Sequence, residues 1–432
     1  MRKNKAILVY HGVRAPKLVG RLWFHDSHER QSASFEYDRN WLQDGFAVAP
    51  DLPLTPGLYH TSEGRALFGV FEDSSPDRWG RMLVRRMERK QAEIDRRTPR
   101  ALTEMQFLLG VSDSTHQGAL RFALEKGGPF LAHASETEVP PLVFLPKLLD
   151  ASWAVLSDTD KLEDLRLILA PGSSLGGARP KAAVRDQKGA LWVAKFPHVN
   201  DELNVVLWEA IALRLAQKSG IPTPEWRLAT VSGKSVLLLR RFDRGDDGER
   251  IHFVSAMTML GAKDMERHSY LEIADAIREC GSRVEDDLPQ LWRRLLFNVL
   301  ISNVDDHLRN HGFLHDGAGF RLSPAYDMNP VPQDVRPRVL TTAIWDDGEC
   351  RLDAVLEVAE YFDVPLDRAR KIVSEVGQAV SEWRRTASVL GATRKEIDRM
   401  ASAFEHDDLR QALESRRNPV HFATRHETRF SP

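Results

Sequence analysis

Apolar and polar positions follow two different periods along this chain. Over residues 1–125, short strand-like runs ("AILVYHG", "VGRLWFH", "ASFEYD") predict strands. They are interrupted by one strong helical pattern starting near "SSPDRWGRMLVRRMERKQ", with Ser74 or Ser75 as its expected cap and Pro76 in its first turn. Residues 126–150, with "KGGPF" and "EVPPLVFLP", predict a loop. There follow a helical patch ("TDKLEDLRLIL"), a glycine-rich stretch ("PGSSLGGARPKAAV") and a strand ("ALWVAKFP"). A helix is expected over 201–218, closed by Gly220 and Pro222. "WRLATVSGKSVLLLRRF" predicts a hairpin turning at Ser232 and Gly233. Beyond residue 255 the period is helical, except for a second hairpin at "GFLHDGAGFRLSPAYD". A β-rich part followed by a helical part predicts an α+β fold of separate lobes.

One helical pattern leads directly into chemistry. In "LWRRLLFNVL", Leu291, Leu295, Leu296, Val299 and Leu300 recur at helical spacing, and "LISNVDDHLRN" then sets ionisable side chains against that apolar run. A core helix is therefore expected to deliver Asp305, Asp306, His307 and Asn310 to one place. A metal cluster, a phosphoryl-transfer loop and a solvated turn are all compatible with that much.

Bulk properties narrow the classes. At 432 residues the chain is too long for one simple core, so two or three domains are expected. Its formal net charge of -2 gives no overall reason to expect a nucleic-acid or membrane partner. The basic stretch at 81–100 is expected to be a solvated face, with a docking surface as the other reading. Two cysteines, Cys280 and Cys350, cannot build a disulfide framework, which fits a reducing cytoplasm. The N-terminal apolar run is too short for a signal peptide, and no stretch approaches the ~20 apolar residues that span a bilayer.

Spacing then favours phosphoryl transfer. Asp305 and Asn310 lie five positions apart, the Asp-x-x-x-x-Asn core of kinase catalytic loops. There the aspartate accepts the proton of a hydroxyl nucleophile and the asparagine holds a magnesium ion. A second metal carboxylate is needed just after a short hairpin, and "AYDMNP" offers Asp327 at that point. Asp306 lacks the spacing and is expected to point elsewhere, capping the helix. His307 is expected to orient the loop through a hydrogen bond, and His311 and His315 to lie at the surface. In "SSLGGARPK" two adjacent glycines let backbone N–H groups approach a phosphate, although the stretch taken alone reads better as a plain turn. Lys195 in "WVAKFP" ends a strand that could be buried, and Glu209 shares a helix face with Val205, Ala212 and Ala216. A Lys195–Glu209 ion pair would account for both. "LLLRRFDR" ends a strand where a two-lobed kinase has its hinge, and an ordinary strand end fits it as well.

Taken together, the segments "LFGVFEDSSPDRWGRMLVRR", "SSLGGARPKA", "AKFP", "RRFDR", "NVDDHLRNHGFL" and "LSPAYDMNP" resemble the HipA family of serine/threonine kinases, the toxins of bacterial type II toxin–antitoxin pairs. The pattern Asp-x-His-x-x-Asn is also similar to the catalytic loop of phosphoinositide kinases. The resemblance implies an atypical two-lobed kinase fold, with an accessory subdomain at 1–125, a kinase N-lobe at 126–240 and a helical C-lobe at 241–425. It implies that Asp305 is the catalytic base, that Asn310 and Asp327 hold Mg2+, and that Lys195, supported by Glu209, binds ATP. Leu175, Gly176, Gly177 and Ala178 would form the phosphate loop, and the backbone of Arg241 and Phe242 would meet adenine. Ser174, or its neighbour Ser173, would be autophosphorylated. The implied partners are a small helix-turn-helix antitoxin that binds operator DNA and a protein substrate such as an aminoacyl-tRNA synthetase, classically the glutamyl enzyme. A corepressor acting mainly with its antitoxin on DNA is the alternative. A metal-dependent phosphohydrolase built on Asp305, Asp306, His307, His311 and Asp327 is the other.

Overall fold

A computed structural model of the chain describes residues 6–27, 30–130, 139–169, 177–345 and 348–414. Two compact units emerge, each assembled from non-contiguous stretches: Met1–Val206, Pro224–Asp264 and Gly312–Ser323 form the first, and Leu207–Thr223, Met265–His311 and Pro324–Pro432 the second.

The first unit holds three antiparallel sheets. Strands β1 (Ile7–His11), β2 (Lys17–Ser27), β3 (Arg30–Tyr37), β4 (Leu58–His60) and β5 (Leu120–Ala123) pair in the order β4-β3-β2-β1-β5. Strands β6 (Lys181–Arg185), β7 (Leu191–Lys195), β8 (Trp226–Val231) and β9 (Lys234–Arg240) pair in the order β6-β7-β9-β8. Strands β10 (Phe253–Ser255), β11 (Gly312–His315) and β12 (Phe320–Leu322) form the third, with β11 in the centre. The hairpin between β8 and β9 turns at Ser232 and Gly233, both at positive φ (48° and 75°), as a two-residue turn matched to strand twist requires.

The β6–β9 sheet reads as nearly continuous apolar residues because it is covered. Ala182, Val184, Trp192, Ala194, Phe196, Val236 and Leu238 pack against Trp79 and Leu83 of the helix Arg78–Ile94. Leu148 and Leu149 of the helix Leu145–Leu156 and Leu165 and Ile168 of the helix Leu162–Leu169 complete this core. Truncating either fully buried tryptophan to alanine would cost roughly 3–5 kcal/mol.

Two local expectations are corrected, and a third gains ion pairs on its solvated face. Asp77, not Ser74 or Ser75, caps the helix Arg78–Ile94, accepting the Gly80 N–H at 2.8 Å. Both serine hydroxyls instead turn back to the carbonyls of Val70 and Phe71 in the preceding short helix. The stretch expected to be a loop to residue 150 contains the start of the helix Leu145–Leu156, with a proline in its first turn, where the missing N–H costs nothing. The basic stretch at 81–100 is largely paired within the molecule. Arg81 meets Glu104, Arg86 and Lys90 meet Asp160, and Arg97 and Arg100 share Glu88.

The second unit is helical. Its centre is the helix Val284–Leu300, whose Leu291, Leu295, Leu296, Val299 and Leu300 are all fully buried. Trp383 stacks on Phe404 (ring centroids 4.6 Å apart, planes 7° apart), and Trp208 tilts against both. No helix among the described residues is long and apolar enough to cross a membrane.

Candidate functional site

The buried helix Val284–Leu300 needs a defined stop before its polar sequel. The Ser302 N–H bonds to the Val299 carbonyl and the Asn303 N–H to the Asn298 carbonyl, with Ser302 left-handed at φ 53°. This double closure is the usual way a helix end satisfies its last carbonyls, although glycine normally takes the left-handed position. Serine is held there because its hydroxyl donates to the Ala403 carbonyl (2.8 Å) and accepts from Arg338 Nε (3.0 Å).

The two adjacent aspartates then part company. Asp306 is buried, 3% exposed, and does not cap the helix. Its Oδ2 accepts hydrogen bonds from the Tyr270 hydroxyl and from His311 Nε2 (3.1 Å). Burial opposes a charged carboxylate, but His311 and Tyr270 outweigh it and hold the Asp306 carboxyl below the usual carboxylate pKa range. Burial, and then Asp306, push Tyr270 well above its ordinary value. Asp305 is exposed, with 63% of its side chain accessible, and its Oδ1 accepts from Arg336 Nη1 at 2.9 Å. Arg336 also reaches Thr341 Oγ1, and that hydroxyl donates to the Val304 carbonyl.

His311, expected at the surface, is therefore a buried anchor of the loop. His315 is half-buried and stacks on Phe46, ring centroids 3.7 Å apart. His307 contributes backbone bonds, its N–H to the Asp305 carbonyl and its carbonyl to Asn310 N–H. Its ring Nδ1 is buried without a hydrogen-bond partner among the described residues, so the ring that orients the loop is that of His311.

Asn310 is buried, with Nδ2 donating to the Asp305 carbonyl at 3.2 Å. The segment carrying Asp327 is tied alongside. Tyr326 donates its hydroxyl proton to the Arg309 carbonyl (2.8 Å), and the Val331 N–H bonds to the Ser302 carbonyl (3.2 Å). Asp327 itself sits at φ 57°, a left-handed backbone that aspartate tolerates but that persists only where the surroundings enforce it. A chain of hydrogen bonds supplies that enforcement. It runs from the Asp306 carboxylate through the Tyr270 hydroxyl, the Asn298 amide, the Asn303 amide and Asn329 to the Asp327 carboxylate. Most of this network escaped sequence reasoning. The one local signal was Asn298, an amide inside the apolar run "LLFNVL".

Glu209 belongs to the same unit, on the helix Val205–Lys218, and is 3% exposed. Lys195 belongs to the first unit. It ends β7, an inner strand, opposite Lys181 on one side and Leu237 on the other. Of the expected phosphate loop, Leu175 and Gly176 lie outside the described residues, as do Ser173 and Ser174. Gly177 is described at φ 98°, where a side chain would be strained, and Ala178 is exposed. The "RRFDR" stretch is built into an ion cluster. Arg241 donates to Asp243 and to the carbonyls of Thr115 and His116, and its N–H bonds to the Leu191 carbonyl. Burial would raise the Asp243 carboxyl, but Arg241 and Arg244 drive it far below its usual range. Phe242 follows at the end of β9, its ring 6.2 Å from that of Phe253.

The five residues of a two-metal hydrolase do not gather. Asp306 and His311 are committed to each other and to Tyr270, and no group of three or more His, Cys, Asp or Glu able to hold a metal occurs among the described residues. A magnesium ion carried on nucleotide phosphates needs less, because it keeps waters and takes one or two protein ligands. The Asn310 amide and the Asp327 carboxylate are oxygen donors of that kind.

Comparison with known proteins bears on this geometry. The sequence matches the HipA N-terminal domain over residues 14–122 and the HipA-like C-terminal domain over residues 173–383. It is 25% identical over 146 residues to "Putative kinase Y4mE" of Sinorhizobium fredii, covering 32% of this chain and 33% of that protein. It is 26% identical over 197 residues to "Putative kinase" of Haemophilus influenzae, covering 38% of this chain and 54% of that one. The matched segments thus span between a third and about half the length of these curated relatives. The fold is that of a chain in the solved complex of the Shewanella oneidensis toxin–antitoxin system HipA, HipB and its operator DNA. The TM-score is 0.62 at 16% identity, over 94% of this chain and 96% of that one.

Proposed function

The chain belongs to the HipA family, and from that premise we propose that it is an ATP- and magnesium-dependent protein serine/threonine kinase, the toxin of a type II toxin–antitoxin pair. The observation that carries the reading is the division of labour between neighbouring aspartates. Asp306 is consumed as a buried anchor, which leaves Asp305 as the exposed carboxylate at the loop tip.

In this reading Asp305 receives the proton of a substrate serine or threonine hydroxyl. The hydroxyl oxygen forms its bond to the γ-phosphorus while the bond to the β–γ bridging oxygen breaks, and ADP leaves. The incoming hydroxyl meets Asp305 at a carboxylate whose exposed pairing with Arg336 holds it by at most about 1 kcal/mol. Asn310 and Asp327 would hold a magnesium ion, which would supply neutralising charge for the phosphates. Lys195 would contact the α- and β-phosphates, with Glu209 as the acid that the family resemblance assigns to support it. Leu175, Gly176, Gly177 and Ala178 cover the phosphates, and Arg241 and Phe242 meet adenine through backbone. Because the Arg241 N–H is already given to Leu191, its contribution is the carbonyl oxygen.

The Shewanella complex contains HipB and operator DNA, and we infer for this chain the partners that the family resemblance implies: a small helix-turn-helix antitoxin and, through it, operator DNA. The substrate would be an aminoacyl-tRNA synthetase, with Ser174 or Ser173 modified in cis. The test is incubation with magnesium-ATP followed by peptide mass spectrometry, beside Asp305→Asn. Phosphate on the serine loop or on a synthetase in the wild type alone supports the kinase. Release of phosphate from nucleotides without protein modification refutes it.

A further inference from the structure

The sequence "SSPDRWG" has no role in the chemistry described so far, yet the structure ties it to the root of the glycine-rich loop. Asp77 uses both carboxylate oxygens. Oδ1 caps its own helix at the Gly80 N–H (2.8 Å), and Oδ2 accepts from Lys181 Nζ (2.7 Å). Lys181 is 2% exposed and also donates to the Gly177 carbonyl at 3.2 Å. Trp79, itself fully buried, adds two more ties: its backbone N–H meets the Gly177 carbonyl (3.4 Å) and its indole Nε1 donates to the Lys181 carbonyl (3.0 Å).

The first turn of this helix therefore grips residues 177 and 181, the described end of the glycine-rich segment, from both sides. A buried ammonium is costly unless it is paired and hydrogen-bonded, so Lys181 and Asp77 hold each other in place. Register adds a second reason. Lys181 lies directly opposite Lys195 on β6 and β7, where side chains share one face of the sheet. Asp77 offsets the repulsion that two ammonium groups facing each other across the ladder would feel.

We propose that Asp77, Trp79 and Lys181 are positioning residues for the nucleotide: they fix the root of the glycine-rich loop relative to the β7 lysine, which makes the helix Arg78–Ile94, between β4 and β5, a working part of the ATP site. The inference rests on the kinase reading above. It predicts a specific defect, in ATP affinity rather than in the transfer step, because the ties set where the loop stands and touch no reacting atom.

The test uses the full-length chain carrying Asp77→Asn with Lys181→Met. The amide keeps the cap on Gly80 and the methionine leaves no unpaired buried charge, so the fold is retained while the latch is lost. Trp79→Phe, which removes a single hydrogen bond, is the milder companion and carries the test if the double variant fails to fold. Affinity is read with magnesium and a fluorescent ATP analogue, KM for ATP and the maximal rate from autophosphorylation, and loop mobility from hydrogen exchange over residues 178–182. A rise of about tenfold in KM and Kd, with the maximal rate within threefold and faster exchange at those amides, is the expected result. A folded variant with Kd and KM within twofold of wild type overturns it. So does a parallel loss of affinity, rate and thermal midpoint, which marks a merely structural role. Wild-type protein that binds the analogue but transfers no phosphate sinks the kinase reading alone, since the latch is then judged by Kd and exchange.

Discussion

Replacing each of the adjacent aspartates by asparagine should have opposite consequences, although the two substitutions differ by one position. Asp306 is buried and accepts from both the Tyr270 hydroxyl and His311 Nε2 on one oxygen. Removing one partner of a buried charged pair costs roughly 3–5 kcal/mol. An amide oxygen in its place still accepts from both donors but without the charge that strengthens those bonds, so Asp306→Asn should cost about 2–3 kcal/mol. That is a large share of the 5–15 kcal/mol typical of a folded domain. Asp305→Asn loses only an exposed pairing with Arg336, so its stability should stay within about 0.5 kcal/mol of wild type. The assay is urea unfolding followed by tryptophan fluorescence at pH 7.5, beside magnesium-ATP turnover at matched folded concentration. Asp305→Asn should keep its midpoint and its ATP affinity and lose turnover. Asp306→Asn should lower the midpoint, and its remaining folded fraction should turn over slowly because the loop and Asp327 share one network. Equal midpoints for the two variants, or unchanged turnover in Asp305→Asn, would refute the reasoning.

Lys195→Ala should weaken both nucleotide binding and turnover; binding as tight as wild type would remove Lys195 from the site. Ser174→Ala should give an enzyme that is not silenced by its own modification and is more toxic in cells, and protection of those cells would count against an inhibitory role. Acid should destabilise the fold well before the carboxylates titrate. Burial lowers His252 to about 3 and His116 to about 4, so the unfolded chain takes up protons that the folded chain refuses. The folded state is therefore fully favoured above pH 6.5, and stability is lost as pH falls toward those lowered values. For His252 the loss by pH 5 is about 2 kcal/mol, read as a lower urea midpoint at pH 5 than at 7.5; equal midpoints would sink it. Asp306 adds the same sign of effect at lower pH, below the ordinary aspartate range, since its folded pKa is depressed.

Elements that declare themselves locally were legible in the sequence. The short β-prone runs of β1 to β3, the positive-φ pair Ser232 and Gly233, and the apolar stripe of the helix Val284–Leu300 depend on neighbours a few residues away. Contacts across long separations were not. Either serine before Pro76 could have capped the next helix, and only the geometry of the preceding short helix turned both hydroxyls backward and left Asp77 to do it. His311 looks as polar and exposed as His315 in a string of letters. Its burial depends on Tyr270, some forty positions earlier. The five-residue spacing chose Asp305 over Asp306 by counting alone, and the difference in exposure between the two carboxylates is what three dimensions add. Arg336 carries no signal in its surroundings, because its partner is reached only through the turn that follows Asp327.

The interleaving of the two units has a consequence for how the molecule is made. β10 takes its place in a three-stranded sheet only when β11 pairs with it and β12 in turn pairs with β11, and β11 arrives about 57 positions later, after the helices Tyr270–Cys280 and Val284–Leu300. At a synthesis rate of roughly 5–20 residues per second, β10 waits on the order of 3–11 seconds on the ribosome with an open edge. Throughout that interval the unit bearing the β7 lysine is incomplete, and the loop bearing Asp305 is made only at its close. Nascent chains therefore pass through a window in which both halves of the chemistry exist as sequence and neither as structure, and chaperones that shield strand edges would act on this protein there.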